Sequence, residues 1–237
     1  AAGVSNMALD FLFIAVFRWG IAGAAAATAL GEAVGGIVPV LYFARKNNSL
    51  LRLVKALPER RTIALACANG SSEMVSNLSM SVVNILYNFQ LMRIAGEDGV
   101  AAYGIIMYVN FVFQAIFLGY AIGGAPVVSY HYGAGNWEEL KNLSGKSLVL
   151  MYVTGVIMTL LAEFCNVPLV KAFAGYDAAL TEMTCRGFRR YALAFLMMGV
   201  NIWASAFFTA LNNGGVSAAI SFLRTLVFQT AAILLLP

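Results

Sequence analysis

The sequence predicts an all-α membrane protein, a polytopic bundle of about seven transmembrane helices. Of its 237 residues, 61% are hydrophobic and only 11% are charged, and the mean hydropathy is +0.80. A soluble domain of this length carries roughly twice that share of charge. The apolar residues also gather into segments long enough to cross a bilayer, which takes about 20 residues of helix. No period-2 alternation typical of a β-barrel is visible, so we expect helices throughout.

Seven apolar segments follow one another, joined by short stretches of turn residues. Residues 96–99 (GEDG) and 212–215 (NNGG) are two such joints, because Gly and Asn favour tight turns. Asn136 and Glu139 predict a capping box that begins a short interfacial helix leading to Lys146. The predicted helices are residues 1–17, 20–44, 62–92, 99–126, 147–168, 188–212 and 215–237.

The longest connection, residues 45–61, is strongly basic. It contains six Lys or Arg residues and a single acid, Glu59. The positive-inside rule places such a cluster in the cytoplasm, on the inner side of the cell membrane, although the basic residues between 171 and 190 favour the reverse orientation. The formal net charge is +4, but the basic residues lie between apolar segments and form no stripe. We therefore expect no nucleic-acid partner.

Neither end of the sequence resembles a natural terminus. No initiator Met or charged signal-peptide region precedes the first segment, and the last residues are apolar without an interfacial anchor. We therefore expect the chain to be the interior of a longer protein.

A line of polar residues runs along the third predicted helix. At about 100° per residue they all lie within about 80° of one another around the helix axis, and the opposite side is apolar. The polar face extends from Asn69 over roughly 28 Å at 1.5 Å per residue, close to the hydrocarbon thickness of a bilayer. We call this line the polar seam; it consists of Glu73, Asn77, Ser81, Asn84 and Asn88. Such a seam is typical of a transporter or channel, because it needs a space filled with water or ligand.

Three further predicted helices carry polar faces. Unpaired polar groups in lipid are costly, so these faces should turn toward one another or toward water. One interpretation is interhelical hydrogen bonding, which stabilises by only about 0.6 kcal/mol per pair. The other is a cavity, which the alignment of four polar faces and the presence of a carboxylate favour. The three faces hold Tyr103, Asn110 and Gln114; Asn201, Ser205, Thr209 and Asn212; and Ser217, Ser221 and Arg224.

Four ionisable side chains fall inside apolar segments. An ionised Asp in the bilayer costs about 2.5–3.5 kcal/mol, so such residues are functional candidates. A carboxyl group that is protonated when sealed and ionised when wet suits proton coupling, and a carboxylate beside amide and hydroxyl oxygens can instead hold Na⁺. Asp10 with Asn6 one turn before it, and Glu73 with Asn77 one turn after it, are the predicted ion sites. The four side chains are Asp10, Glu32, Glu73 and Arg224. Glu32 is equally suited to packing against another helix. Arg224 is expected to pair with an acid or to extend its charged end to the membrane surface.

Stretches along the whole chain resemble those of the multidrug and toxic compound extrusion (MATE) transporters. Residues 6–10 (NMALD) and 19–28 (WGIAGAAAAT) are similar to the N-x-x-x-D and G-x-x-G-A-A-x-A-T run of the family's fifth and sixth helices. Residues 126–134 (PVVSYHYGA) resemble its P-x-x-S-x-x-x-G-A signature after the eighth helix. Shorter similarities lie at residues 70–73, 96–103 and 211–224.

The resemblance implies a transporter of twelve helices in two lobes, in which this chain would start within the fifth helix and stop within the eleventh. Residues 1–44 would be the last two helices of the first lobe, 45–61 the connection between the lobes, and 62–237 the first five helices of the second lobe. In the family, substrate leaves as the lobes rock around a central cavity, driven by the entry of H⁺ or Na⁺.

The resemblance also implies roles for particular residues. In some members, Asn and Asp on the fifth helix and Thr on the sixth form an ion site, and Asn6, Asp10 and Thr28 match them. In others, an acid on the seventh helix acts with one on the tenth. Glu73 corresponds to the first of these acids, but residues 191–212 contain no acid, so the second site is incomplete.

The expected function is secondary active efflux of amphipathic, often cationic organic compounds in exchange for H⁺ or Na⁺ by alternating access. Ion coupling is expected at Asp10, Asn6, Thr28, Glu73 and Asn77, with Na⁺ held at Asp10 or Glu73 if the ion is a metal. Amide and aromatic groups suit varied cations, so the substrate cavity is expected at Asn84, Asn88, Tyr103, Asn110, Gln114 and Asn201. The expected partners are small organic molecules and membrane lipids, with the protein as a monomer.

Two other functions fit the sequence less well. A flippase for lipid-linked oligosaccharides has a related architecture, but its cavity is usually strongly cationic and Arg224 is the sole intramembrane cation found here. A membrane-embedded enzyme would need a motif such as HExxH, GxSxG or paired catalytic aspartates, and the sequence has none. We therefore expect no enzyme activity and no cofactor beyond the coupling ion. Cys67, Cys165 and Cys185 lack metal or redox spacing and are expected to be unpaired.

Overall fold

The computed structural model describes residues 2–45 and 59–235, which are helical and contain no strand. They belong to two compact units, Ala1–Pro58 and Glu59–Pro237. Residues 46–58, which make up most of the predicted basic connection, lie outside the described residues. The assignment of the units to two lobes and the cytoplasmic position of the connection stay predictions.

The first unit is a pair of closely packed helices. Helix α1, Ala2–Asp10, continues directly as a π-helical segment, Phe11–Val16, and helix α2 is Gly20–Ala44. The turn between them bends through positive φ at Arg18 (57°) and Gly20 (57°). A stripe of small residues every four positions along α2 lets the helix backbones approach closely; it consists of Gly23, Ala27, Gly31 and Gly35.

The second unit opens with a helical hairpin. The element Arg60–Gly133 consists of two helices that meet at Gly96, where φ is 65° and ψ is −154°; we call residues 60–95 α3a and residues 97–133 α3b. A Cβ at Gly99 would lie 2.5 Å from Ala95 Cβ, so the hairpin closes only with glycine there. The sequence predicted that the second of these helices ends at residue 126. This boundary is wrong, because α3b passes through Pro126 and continues to Gly133.

Proline usually ends or kinks a helix in a soluble protein, but Pro126 lies within α3b. Proline in a transmembrane helix is accommodated when neighbouring groups bond the freed backbone or anchor the turn. Ser129, one turn later, donates its hydroxyl to the Ala210 carbonyl oxygen at 2.9 Å. This contact ties the last turns of α3b to another helix of the same unit.

The remaining helices are α4, Trp137–Phe164; α5, Asn166–Ala174; α6, Ala178–Ala192; α7, Phe195–Ala210; α8, Gly214–Ser221; and α9, Gln229–Leu235. A second π-helical segment, Phe222–Phe228, joins α8 to α9. The buried core includes three large aromatic side chains from α3b, α6 and α7, namely Phe117, Phe188 and Trp203.

Helix α4 corrects one predicted boundary and confirms its start. The Asn136 side chain accepts a hydrogen bond from the Glu139 backbone N–H at 3.2 Å, as the predicted cap requires. The helix then runs without a break to Phe164, so a separate interfacial helix ending at Lys146 is wrong. One glycine, Gly145, costs a helix only about 1 kcal/mol and does not interrupt it.

The predicted helix 188–212 is two helices with a bend of 53° between them, α6 and α7. Helix α6 begins ten residues earlier than predicted, at a cap where Asp177 Oδ1 accepts from the backbone N–H groups of Ala179 and Leu180. Its outer face is charged while its inner face, including Thr184 and Phe188, is buried. A search for apolar runs misses such an amphipathic helix.

Four helices among the described residues are long and apolar enough to cross a membrane, and the bent pair α6–α7 makes a fifth if it is one span. One of the four is the α3 hairpin, of which each arm exceeds the length of about 20 residues that a span requires. The chain is a multi-pass, all-α membrane protein.

Candidate functional site

The three residues predicted to form an ion site in the first unit lie together. With the Asn6 amide in the orientation that satisfies both of its polar atoms, Nδ2 donates to Asp10 Oδ2 at 3.3 Å. The Asn6 Oδ1 atom accepts from the Thr28 backbone N–H at 3.3 Å. The Thr28 hydroxyl donates to the Ala24 carbonyl oxygen at 3.0 Å. One carboxylate, one amide and one threonine therefore meet where α1 crosses α2.

Two local features position this site. A Cβ at Gly31 would lie 2.9 Å from Asn6 Cβ, so glycine permits the close approach of α2 to Asn6. The π-helical segment Phe11–Val16 begins immediately after Asp10. Such segments are rare and frequently occur at functional sites, because they rotate the following side chains relative to an α-helix. Glu32 is exposed on α2.

The polar seam lies on an exposed side of α3a within its unit. The side of α3a that packs against other helices is a different one and includes Ser72, Ser79 and Val83. Asn77 Nδ2 donates to the Glu73 carbonyl oxygen at 2.9 Å, one turn back along the same helix. Ser81 and Asn88 make the equivalent backward bonds, to Asn77 and Asn84, at 3.0 and 2.8 Å. Three of the four neutral side chains of the seam thus bond back along their own helix, and the Glu73 side chain stays exposed.

Glu73 makes no ion pair within 4.0 Å with any residue that the structure describes. Arg224 is half-buried on the second π-helical segment, which packs against α3, and its guanidinium lies close enough to Glu73 for an attraction through space without an ion pair. The predicted partner of Glu73 in the seam, Asn77, bonds to the backbone and not to the carboxylate. The cation near Glu73 therefore comes from a helix other than α3a, namely the second π-helical segment.

The polar faces of α7 and α8 turn toward one another. Ser205 Oγ lies 2.8 Å from Ser217 Oγ and 3.1 Å from Ser221 Oγ. Thr209 Oγ1 donates to Ser217 Oγ at 2.8 Å and lies 3.5 Å from Ser72 Oγ on α3a. For these residues interhelical hydrogen bonding is the correct interpretation, and the buried hydroxyl groups hold three helices together.

The polar face of α3b keeps part of its bonding capacity free. Asn110 is buried, and its Nδ2 donates to Gln114 Oε1 at 3.3 Å. The Asn110 Oδ1 atom is also buried but accepts no hydrogen bond from a described residue. Tyr103 stacks on Tyr87 of α3a with ring centroids 5.1 Å apart. The last predicted cavity residue, Asn201, is half-buried on α7.

Sequence reasoning missed two tyrosines that join this region, Tyr87 and Tyr191. Tyr87 lies at about 40° from Glu73 around the helix axis, on the flank of the polar seam, and could have been found from the same angular pattern. Tyr191 carries no such signal, since it belongs to the helix whose start was not recognised. The described residues contain no group of three or more His, Cys, Asp or Glu that could hold a metal ion. All three cysteines are unpaired, as predicted.

A family model described as MatE matches residues 74–233, more than half of the chain. The chain belongs to the MATE family. It is 22% identical over 236 residues to the multidrug export protein MepA of Staphylococcus saprophyticus, covering 96% of this chain and 50% of that protein. Protein DETOXIFICATION 43 of Arabidopsis thaliana is 24% identical over 225 residues, or 92% of this chain and 42% of that protein.

Solved MATE structures share the fold. The crystal structure of MATE in complex with MaL6 superposes with a TM-score of 0.90 at 21% identity, over 98% of this chain and 53% of that one. A MOP superfamily transporter from Pyrococcus furiosus gives a TM-score of 0.89 at 21% identity, also over 98% and 53%. These matches confirm the resemblance and the all-α bundle. The MATE chain spans about half the length of the curated relatives it matches.

Proposed function

We propose that this chain is part of a secondary active multidrug efflux antiporter, which exports amphipathic, often cationic organic compounds in exchange for H⁺ or Na⁺ by alternating access. Membership of the MATE family and the similarity to proteins named for multidrug export support this proposal. The observation that carries it is the convergence of Asn6, Asp10 and Thr28 at the contact between α1 and α2. The proposal keeps the predicted inner-membrane location, cytoplasmic connection and monomeric state.

Asp10 is the proposed ion-binding group of the first unit. Its carboxylate accepts one hydrogen bond from Asn6, which leaves further lone pairs for a proton or for Na⁺. Protonation changes the carboxyl group from an acceptor into a partial donor and removes its charge. Because Asn6 also bonds the α2 backbone at Thr28, a change at Asp10 is transmitted directly to the contact between the two helices.

Glu73 is the proposed ion-binding group of the second unit. It is exposed within the unit and has no ion pair among the described residues, so its oxygens are accessible to an entering ion. The Arg224 guanidinium, which stays charged at any physiological pH, attracts the ionised carboxylate and competes with that ion. A proton or Na⁺ at Glu73 would release Arg224 from this attraction. In this way an arginine takes part in a site where the sequence has no second acid.

The driving force depends on the net charge that moves in one exchange. For a neutral substrate, one elementary charge that moves inward contributes about 2.3 kcal/mol per 100 mV, which corresponds to roughly fiftyfold accumulation of substrate outside if coupling is complete. Exchange of one ion for one monovalent organic cation moves no net charge, and the concentration gradient of the ion then supplies the driving force.

The test is ion-gradient-driven efflux by the complete polypeptide that contains this chain, reconstituted in vesicles. Asp10→Asn and Glu73→Gln, assayed separately, remove the titrating group while keeping its size. We expect at least one variant to bind organic cations yet lose efflux in response to an imposed H⁺ or Na⁺ gradient. Unchanged gradient-driven efflux in both variants would contradict the assignment of the coupling sites.

A further inference from the structure

Tyrosines from three helices lie in one region of the second unit. Tyr87 of α3a and Tyr103 of α3b stack with centroids 5.1 Å apart and an interplanar angle of 22°. Tyr191 of α6 packs against the buried core that contains Ile106, which is one turn after Tyr103 on α3b. All three residues are half-buried within the unit. We call Tyr87, Tyr103 and Tyr191 the tyrosine cluster.

The tyrosine cluster lies beside one end of the polar seam. Tyr87 is within one helical turn of Asn84 and Asn88, and these two amides bond to each other with Nδ2 of Asn88 3.3 Å from Oδ1 of Asn84. On α3b, the face that holds Tyr103 continues two turns along to Asn110, whose buried Oδ1 has no partner among the described residues. Aromatic rings and amide groups therefore lie close together along the two arms of the hairpin.

The rings are held in place by a packed support. Tyr191 contacts Phe195 edge-on, with centroids 5.8 Å apart at 85°. Phe195 in turn stacks on Phe113 at 4.9 Å and 14°, and is fully buried. A cluster fixed by such packing loses little conformational freedom when it binds a ligand.

We propose that the tyrosine cluster is the subsite that receives the positively charged group of an organic cation. This inference rests on the proposed efflux of organic cations and specifies the site at which their charge is recognised. Aromatic faces attract a cation that has left water without carrying a full charge themselves. They also impose little directional constraint, which suits ligands of different shape, and the phenol and amide oxygens are acceptors for cations that carry N–H groups.

The position of the tyrosine cluster separates ligand recognition from ion coupling. Tyr87 follows Glu73 by fourteen positions on one helix, roughly 21 Å at 1.5 Å per residue. A ligand cation at the cluster therefore does not displace an ion from Glu73 by direct contact. Loss of the rings should weaken ligand binding and leave the ion response of the transporter unchanged.

The experiment compares tetraphenylphosphonium, a permanent cation, with neutral triphenylphosphine oxide by equilibrium binding to the purified complete polypeptide. Variants Tyr87→Leu, Tyr103→Leu and Tyr191→Leu remove the ring, whereas the matching Tyr→Phe variants keep it. The control is Tyr152→Leu on α4, a tyrosine that is 48% exposed on the surface of the unit. Size-exclusion profiles identify variants that do not fold. If a Tyr→Leu variant does not fold, the Phe variant at the same position and the binding of the neutral ligand still test the role of the ring.

We expect each Tyr→Leu variant to weaken binding of the phosphonium cation by about three- to thirtyfold, the range of a cation–π contact. Binding of the neutral compound should change by less than half as much, and Phe variants should resemble the parent. Equal loss of affinity for the cation and the neutral ligand, or no loss for either, would overturn the inference. The proposed function would still stand if the unsubstituted protein shows gradient-driven efflux. If the parent binds the cation through the rings but shows no gradient-driven efflux, the tyrosine subsite stands and the proposed function fails.

Discussion

Adding one methyl group at Gly31 tests the geometry of the Asp10 site with the smallest available change. An alanine Cβ at this position would lie 2.9 Å from Asn6 Cβ and 3.3 Å from Asn6 Cα. Carbon atoms prefer about 3.5–4.0 Å, so the two helices must separate by up to about 1 Å. Both bonds of Asn6 are already 3.3 Å long, and this separation would break at least one of them.

The stability change can be estimated from two opposing effects. Overpacking costs about 1–3 kcal/mol, while replacing glycine by alanine within a helix stabilises by about 0.8–1.0 kcal/mol. Gly31→Ala should therefore destabilise the protein by up to about 2 kcal/mol. Gly36→Ala is the matched control, because Gly36 lies on the same helix and a Cβ there meets nothing within 4 Å. It should be neutral or stabilising.

Two assays on the purified complete polypeptide measure these effects. Thermal unfolding in detergent should show a lower midpoint for Gly31→Ala and an unchanged or higher one for Gly36→Ala. The concentration of H⁺ or Na⁺ that half-activates efflux should shift only in Gly31→Ala, because only this change moves Asn6 relative to Asp10. Identical midpoints and ion responses in the two variants would refute the close contact between Gly31 and Asn6.

Four further substitutions test the packing of the second unit by chemical or thermal unfolding. Thr159→Val should destabilise by about 1–3 kcal/mol, because the buried hydroxyl donates to the Gly155 carbonyl oxygen at 2.9 Å and to the Ala192 carbonyl oxygen at the α6–α7 bend at 3.2 Å; no loss would contradict these bonds. Ser205→Ala and Ser217→Ala should show a coupling energy of about 0.5–3 kcal/mol in a double-mutant cycle, and strict additivity would argue against the 2.8 Å contact. Asp177→Ala should cost about 1 kcal/mol through loss of the α6 cap.

The transmembrane helices were predictable because their signals are local. The Gly96 turn, the Asn136 cap and the apolar segments depend on residues close together in sequence. The continuation of α3b through Pro126 was not predictable, because it depends on a contact with α7, which is distant in sequence. Helix α6 escaped prediction for a related reason, because only burial of its inner face distinguishes it from a polar loop.

For the candidate sites, too, the features that depend on residues close together in sequence were predictable and the others were not. Periodicity placed Asn6 beside Asp10 and aligned the polar seam, because residues four apart share a helix face. It could not decide between a cavity and interhelical bonds for Ser205 and Ser217, since that depends on which helices face each other. The proximity of Arg224 to Glu73 likewise arises from packing between separate helices.

The central claim is that the polar seam borders a water-filled space in the membrane. The most direct measurement is labelling of single cysteines by a charged, water-soluble thiol reagent in membranes, after Cys67, Cys165 and Cys185 are replaced by alanine. Asn77→Cys and Asn84→Cys on the seam should react rapidly, while Ile85→Cys and Phe89→Cys on the apolar side should not. Equal reaction on both sides, or reaction of the apolar side alone, would contradict the claim.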